Sequence, residues 1–316
     1  MSSSSSLTLE APLARRLLAW ANERFPPANA VLILVIYAAA VLCGRALVTA
    51  GPLTVSATDL AGFFGIWAYF LMLRVFDEHK DFARDAANHP GRVLQRGLVT
   101  LDHLKVVGVV AVLVQVAATL VAADGAGPAL GWWALTLAWS LLMLKEFFVG
   151  EWLEQRLLLY AFSHLLSMPL AFLWLAQIGA GERGLPAGVA WLALAGGLVA
   201  AAIEVGRKLK APEDERRGVD SYTKVLGINR AAALTAALAG GAAVACGLAL
   251  AAADELSPAA VAGLAVASSP AAFAGLRFAR RPTAAHAEQA EAGAAIAVLL
   301  VMLGLALALA VGRGIV

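Results

Sequence analysis

The chain has 316 residues and a net charge of +2; 61% of its residues are hydrophobic and only 15% are charged. This composition and a mean hydropathy of +0.78 exclude an ordinary soluble domain and a disordered chain, and we expect no nucleic-acid partner. The chain is therefore predicted to be an integral membrane protein.

Apolar stretches of roughly 20 residues, long enough to cross a bilayer as a helix, recur along the chain. The sequence predicts nine of them, at about 30–50, 57–76, 104–123, 128–147, 156–178, 186–206, 230–253, 257–276 and 289–312. They lack the alternation of barrel strands, so helices must satisfy the backbone. We therefore predict an all-α transmembrane domain at 29–316. It is preceded at 1–28 by a tail and an amphipathic helix that lies in the membrane interface or packs on protein.

Basic residues gather in alternate loops, and cytoplasmic loops are the ones enriched in Lys and Arg. This asymmetry places the N-terminus and the two longest loops, 77–103 and 207–229, on the cytoplasmic side of the membrane. The expected location is a bacterial cytoplasmic membrane, with the chemistry on its cytoplasmic face.

Three aspartates follow the second predicted span at four-residue intervals, in DEHKDFARD. On a continuous helix Asp77, Asp81 and Asp85 form one carboxylate stripe. Like charges so arranged repel, but a stripe of oxygen ligands suits Mg²⁺ beside substrate phosphates. Arg92 and Arg96 follow, and Arg suits bidentate phosphate contacts. The residues predict a metal–diphosphate site, and a solvated charged cap is the alternative.

The spacing Asp77-x3-Asp81-x3-Asp85, followed by HPGRVLQRGLVT, resembles the first aspartate-rich motif of the UbiA superfamily of intramembrane prenyltransferases. The resemblance implies nine transmembrane helices around a central cavity, Mg²⁺ as cofactor and an isoprenoid diphosphate as donor. Val93 stands where the family usually has Pro. Lys145, after the fourth span, matches a family lysine that contacts diphosphate, although a membrane-anchoring role is an equal alternative.

The family's second motif, Asp-x3-Asp-x3-Gly, is incomplete in KAPEDERRGVDSYTKVLG. Alignment on Gly218 and Gly227 places Asp214 on the second aspartate and Lys210 on the first. Lysine does not ligate Mg²⁺, so a second ion is in doubt.

Three explanations of the second motif stay open. Lys210, with Arg207 and Lys208, contacts the diphosphate directly as a point charge. Alternatively, Glu213 or Glu215 takes the missing ligand position. The third possibility is a degenerate site.

Two ionisable residues within spans have structural and functional interpretations. A carboxylate such as Glu204 costs free energy within lipid, which suggests a functional role. The structural alternative is a salt bridge to Lys208 or Arg207. His164 either orients an acceptor or takes its proton, or it packs with hydrogen bonds to Ser163 and Ser167.

The resemblance thus implies Mg²⁺-dependent transfer of a prenyl group to an acceptor that the sequence does not identify, among membrane lipids. The expected metal ligands are Asp77, Asp81, Asp85 and Asp214, and the expected diphosphate contacts are Arg92, Arg96, Lys145, Lys210 and Arg207. Terpene cyclisation on the same scaffold and non-catalytic binding of isoprenoid phosphates are the alternatives.

Overall fold

A computed structural model describes residues 7–125, 127–215 and 221–316. The described residues form fourteen α-helices, two short 3-10 turns and one isolated bridge, between Leu53 and Ile315. The helices are α1 Leu13–Arg24, α2 Asn29–Val48, α3 Ala57–Lys80, α4 Phe82–Asn88, α5 Leu101–Ala122, α6 Pro128–Leu144, α7 Gly150–Glu154, α8 Leu157–Leu165, α9 Ser167–Ala180, α10 Val189–Arg207, α11 Tyr222–Leu226, α12 Ile228–Ala252, α13 Pro258–Arg280 and α14 Ala284–Arg313. The prediction of an all-α fold is confirmed.

Eight helical segments in the described part are long and apolar enough to cross a membrane. The predicted fourth span is α6, which has only 17 residues. It ends because Glu146, Phe147 and Phe148 adopt φ values of 47°, 54° and 60°, outside the right-handed helical region. The count of nine spans is therefore not confirmed, but the integral membrane prediction is.

The predicted fifth span is divided into α8 and α9, which meet at Leu166. Pro169 lies in the first turn of α9 and has no N–H to continue the helical hydrogen bonds.

The chain divides into two compact units. The first contains residues up to 34 and 57–125, and the second contains 35–56 and the residues from 126 onward. In the first unit α3 packs along α5, where Gly108 brings α5 close to Val75. The amphipathic helix α1 also packs in this unit and buries Trp20, which is 1% exposed, with Val75, Leu94 and Leu98.

In the second unit, two glycines allow α2 and α9 to touch through their backbones. A Cβ on Gly44 would lie 2.0 Å from the carbonyl oxygen of Ala176, and one on Gly179 would lie 2.1 Å from that of Val41. Small residues are what lets transmembrane helices approach this closely.

Arg313, the last residue of α14, makes three contacts within the second unit. Arg313 donates to the carbonyls of Thr49, at 3.0 Å, and Ala253, at 2.6 Å, and pairs with Glu255. A single side chain thus joins the end of α2, the α12–α13 turn and the end of α14.

Candidate functional site

The first aspartate motif crosses the junction of α3 and α4. Asp81 lies between the two helices, with φ −94° and ψ 3°, yet the helical hydrogen bonds continue through it. The Asp81 amide donates to the Asp77 carbonyl, and the Asp85 amide to the Asp81 carbonyl, both at 2.8 Å. The three residues therefore follow one another at one-turn intervals, the arrangement that a four-residue spacing predicts.

Each of the first two carboxylates forms an ion pair with an arginine three positions away. Asp77 pairs with Arg74 at 3.4 Å, and Asp81 with Arg84 at 2.6 Å. Their side chains are 51% and 33% exposed, so both remain accessible to an ion from solution. The two guanidinium groups therefore offset part of the repulsion that the sequence suggests.

Asp85 is more enclosed, with a side chain 14% exposed. Its Oδ2 atom accepts from Arg92 Nη1 at 2.5 Å and from Arg24 Nη2 at 3.5 Å. Arg24 is the last residue of α1, and it also pairs with Glu78, whose side chain is fully buried. A chain of alternating charges thus runs from Glu78 through Arg24 and Asp85 to Arg92.

The segment after Arg92 is held by the N-terminal region. Arg96, an expected diphosphate contact, donates through Nη2 to the Leu7 carbonyl at 2.9 Å. The Val93 amide donates to the Glu23 carboxylate at 3.4 Å, a bond that the proline usual at this position could not make. Loss of water around the Glu23 carboxyl raises its pKa, and the Val93 amide lowers it in part.

At the end of α10, the structural interpretation of Glu204 is the one that the contacts favour. Its carboxylate accepts from Arg207 Nη2 and Lys208 Nζ, both at 2.7 Å. Arg207, another expected diphosphate contact, thus already neutralises a carboxylate in the same helical turn.

Glu213 and Glu215, the two alternatives for the missing aspartate, both accept hydrogen bonds. Glu213 accepts from the amide of Ala284, at the start of α14, at 3.2 Å. Glu215 Oε1 accepts from Ser221 Oγ at 2.5 Å and from Thr223 Oγ1 at 2.8 Å. Both carboxylates therefore hold the loop together.

Lys210 and Asp214 lie on the same loop with exposed side chains. The amide of Lys210 donates to Thr223 Oγ1 at 3.0 Å, so the Glu215 contacts also fix the backbone that carries the Lys210 ammonium. Within the described ranges Asp214 makes no ion pair, and Gly218, used to align the motif, lies outside those ranges.

Tyr222 is the first residue of α11, which follows this loop, and is 2% exposed. Burial, followed by the nearby Glu204 carboxylate, raises the pKa of its phenol to about 12. It therefore stays neutral near physiological pH and is unsuited to accept a proton.

Lys145 ends α6 with an exposed side chain and begins the left-handed turn of Glu146–Phe148. Glu146 accepts from the hydroxyl of Tyr160 at 3.1 Å, and Tyr160 stacks on His164 with ring centres 4.1 Å apart. His164 Nδ1 lies 2.9 Å from the Tyr160 carbonyl. These contacts favour the packing interpretation of His164.

The sequence did not reveal the roles of Arg24 and Glu215. Arg24 acts on residues more than fifty positions away, and only its place at the end of an amphipathic helix was visible. For Glu215 a usable signal existed, because the Ser-x-Thr spacing of Ser221 and Thr223 offers two hydroxyls beside an acidic residue.

The donor chemistry of the first motif fits Mg²⁺, although in the described part no three His, Cys, Asp or Glu side chains converge on one point. Mg²⁺ needs only one or two carboxylates when waters and phosphate oxygens complete its shell. Asp77 and Asp81 supply such carboxylates one turn apart, and Asp85 Oδ1 makes no hydrogen bond or ion pair among the described residues. The second motif provides one exposed carboxylate without an ion pair among the described residues, Asp214, on the same loop as Lys210.

Comparisons with known proteins bear on the fold. No family model matches the sequence, and no curated protein matches it. A solved structure, from work on digeranylgeranylglyceryl phosphate synthase in membranes, is similar to this chain. The two share 16% sequence identity and a TM-score of 0.64, and the match covers 93% of this chain and 99% of that one. The chain therefore has the same helical fold as that structure, and the predicted helical membrane bundle is confirmed.

Proposed function

We propose that the protein is an Mg²⁺-dependent intramembrane prenyltransferase that uses an isoprenoid diphosphate as donor. The observation that carries the proposal is the first motif, in which Asp77, Asp81 and Asp85 follow one another at one-turn intervals beside Arg92. The shared fold with a digeranylgeranylglyceryl phosphate synthase supports it. The reaction takes place at the cytoplasmic surface, where basic residues gather.

Asp77, Asp81 and Asp85 would hold Mg²⁺, which when bound neutralises charge on the diphosphate. Arg92 donates to the phosphate oxygens from beside Asp85, because its Nη1 atom alone is engaged there. The allylic carbon–oxygen bond breaks and its electron pair leaves with the diphosphate. The acceptor then forms a bond to that carbon and loses a proton, while the apolar helices keep water away from the cation.

In the second motif, Lys210 occupies the position of the missing aspartate and contacts the diphosphate directly, with Asp214 on the same loop. This choice among the three explanations rests on Glu213 and Glu215, whose carboxylates are engaged in loop contacts. An exposed ammonium is a compact point charge that suits phosphate oxygens. Lys145, Arg207 and Arg96 remain expected diphosphate contacts.

The test is release of diphosphate by the purified protein in detergent from geranyl, farnesyl and geranylgeranyl diphosphates, with and without Mg²⁺. Asp81→Asn should abolish Mg²⁺-dependent release. Asp102→Asn is the matched control, because Asp102 also pairs with a basic residue three positions on, Lys105, but lies at the start of α5 with its side chain 84% exposed.

The outcomes separate the candidate functions. Release that needs Mg²⁺ and Asp81 but not Asp102 supports an enzyme, and product analysis without an added acceptor distinguishes cyclisation from transfer. Tight donor binding with no release would contradict the proposal. It would favour a non-catalytic isoprenoid-phosphate-binding protein, the alternative that Lys210 suggests.

A further inference from the structure

The N-terminal helix α1 contacts the first aspartate motif through its last turn. Arg24 extends from this turn to Asp85 and to Glu78, and the preceding residue, Glu23, accepts from the Val93 amide. Asp85 precedes Arg92 by seven positions, and Val93 follows it directly. The end of α1 therefore holds the Arg92 segment at two points.

Hydrophobic packing and two further hydrogen bonds fix α1 in this position. Trp20 is buried against Val93, Leu94 and Leu98. Arg16 Nη1 donates to the Leu98 carbonyl at 2.8 Å, and Leu7, just before the helix, accepts from Arg96. Because the helix is anchored along its length, its last turn is a rigid support for the charges that it carries.

The orientation of Arg92 depends on this support. The Arg92 side chain uses one terminal nitrogen for Asp85, and within the described part of the chain it makes no other hydrogen bond. Its remaining N–H groups form the other side of a planar fork. Asp85 sets the direction of that fork, and Arg24 Nη2 donates to the same Asp85 Oδ2 atom at 3.5 Å.

We propose that Arg24 is a positioning residue for diphosphate binding: it holds Asp85 so that Arg92 presents its free donors to the phosphate oxygens. The inference rests on the proposed function. It assigns a role to α1, whose sequence predicts only an interfacial or packing helix. Arg24 itself need not touch the donor.

The test must avoid stranding Glu78, since a fully buried carboxylate without its arginine is strongly destabilising. The informative variant is therefore Arg24→Gln/Glu78→Gln, compared with Glu78→Gln, which keeps Arg24 for Asp85. Arg24→Lys/Glu78→Gln restores a cation at the same position. Binding of geranylgeranyl thiolodiphosphate, a donor analogue with a non-reactive leaving group, is measured with Mg²⁺ by calorimetry, and the melting temperature is measured alongside.

Loss of one charge-assisted contact that orients a phosphate ligand should weaken analogue binding about tenfold in Arg24→Gln/Glu78→Gln. The lysine variant should recover part of the loss, and all three variants should melt within a few degrees of one another. Equal affinity of Arg24→Gln/Glu78→Gln and Glu78→Gln would overturn the inference, and so would a loss that merely follows the melting temperature.

The same measurements separate this inference from the proposed function. A wild-type protein that binds the analogue but releases no diphosphate from the true donors refutes the enzyme, while the variants still report on Arg24. A wild-type protein that does not bind the analogue overturns both.

Discussion

Replacement of Glu215 by Ala should weaken donor binding without unfolding the protein. The Glu215 carboxylate accepts from the hydroxyls of Ser221 and Thr223, and the Thr223 hydroxyl oxygen accepts from the amide of Lys210. Without the carboxylate, the loop segment that carries Lys210 loses its fixed position. The Lys210 ammonium then has to be ordered when the donor binds.

The magnitude follows from the two hydrogen bonds that disappear. Each is charge-assisted and is worth about 1.5–3 kcal/mol net. The loop is partly exposed, so the lower limit applies, and two such bonds give about 3 kcal/mol, or about a hundredfold in the population of the ordered loop. Donor affinity falls by the fraction of molecules that remain competent, and we expect a loss between about tenfold and about a hundredfold.

The assay is calorimetric binding of geranylgeranyl thiolodiphosphate with Mg²⁺, together with the melting temperature. Glu215→Gln is the matched control, because its amide oxygen still accepts from both hydroxyls and only the charge is lost. It should bind several times more tightly than Glu215→Ala. If Glu215→Ala and Glu215→Gln bind equally well, hydrogen bonding by this side chain does not position Lys210.

Three further predictions concern stability and pH. Gly179→Ala should lower the melting temperature by several degrees, because the new Cβ would lie 2.1 Å from a backbone oxygen that cannot rotate away. Gly240→Ala is the control: a Cβ at Gly240 has no atom within 4 Å, so the melting temperature should be unchanged or slightly higher. Arg313→Gln should destabilise by about 3 kcal/mol in thermal melts, and Arg183→Gln, which loses one bond at an exposed site, should change little. Tyr222→Phe should leave the pH profile of diphosphate release unchanged below about pH 10, because a phenol with a pKa of about 12 is neutral over that range; a shifted profile would show that Tyr222 titrates in the reaction.

Much of the fold could be predicted because bilayer length and hydropathy act locally. The apolar stretches coincide with α2, α3, α5, α10, α12, α13 and α14. The prediction was weakest where a boundary depends on backbone conformation. Nothing in KEFFVGEW signals three consecutive left-handed residues, since Glu and Phe do not favour that conformation, and α6 therefore ends earlier than its hydropathy suggests.

The site was predictable in residue type but not in partners. Spacing alone places Asp77, Asp81 and Asp85 on successive turns. The arginine that contacts Asp85 from α1 could not be predicted, because its separation of 61 positions carries no periodic signal. The same limit applies to Glu213, whose acceptor role depends on the start of α14, 71 positions away.

The arginines change the physical meaning of the aspartate stripe. From the sequence, three like charges on one face repel one another. In the folded protein Arg74, Arg84 and Arg92 each pair with one carboxylate, which offsets part of that repulsion. Under the proposed function, the same guanidinium groups that pair with the aspartates attract a donor diphosphate. Replacement of one aspartate would then have two opposite effects: it would remove a proposed metal ligand and release an arginine for the phosphates. This is why the proposed function is tested by the Mg²⁺ dependence of Asp81→Asn and not by its donor affinity alone.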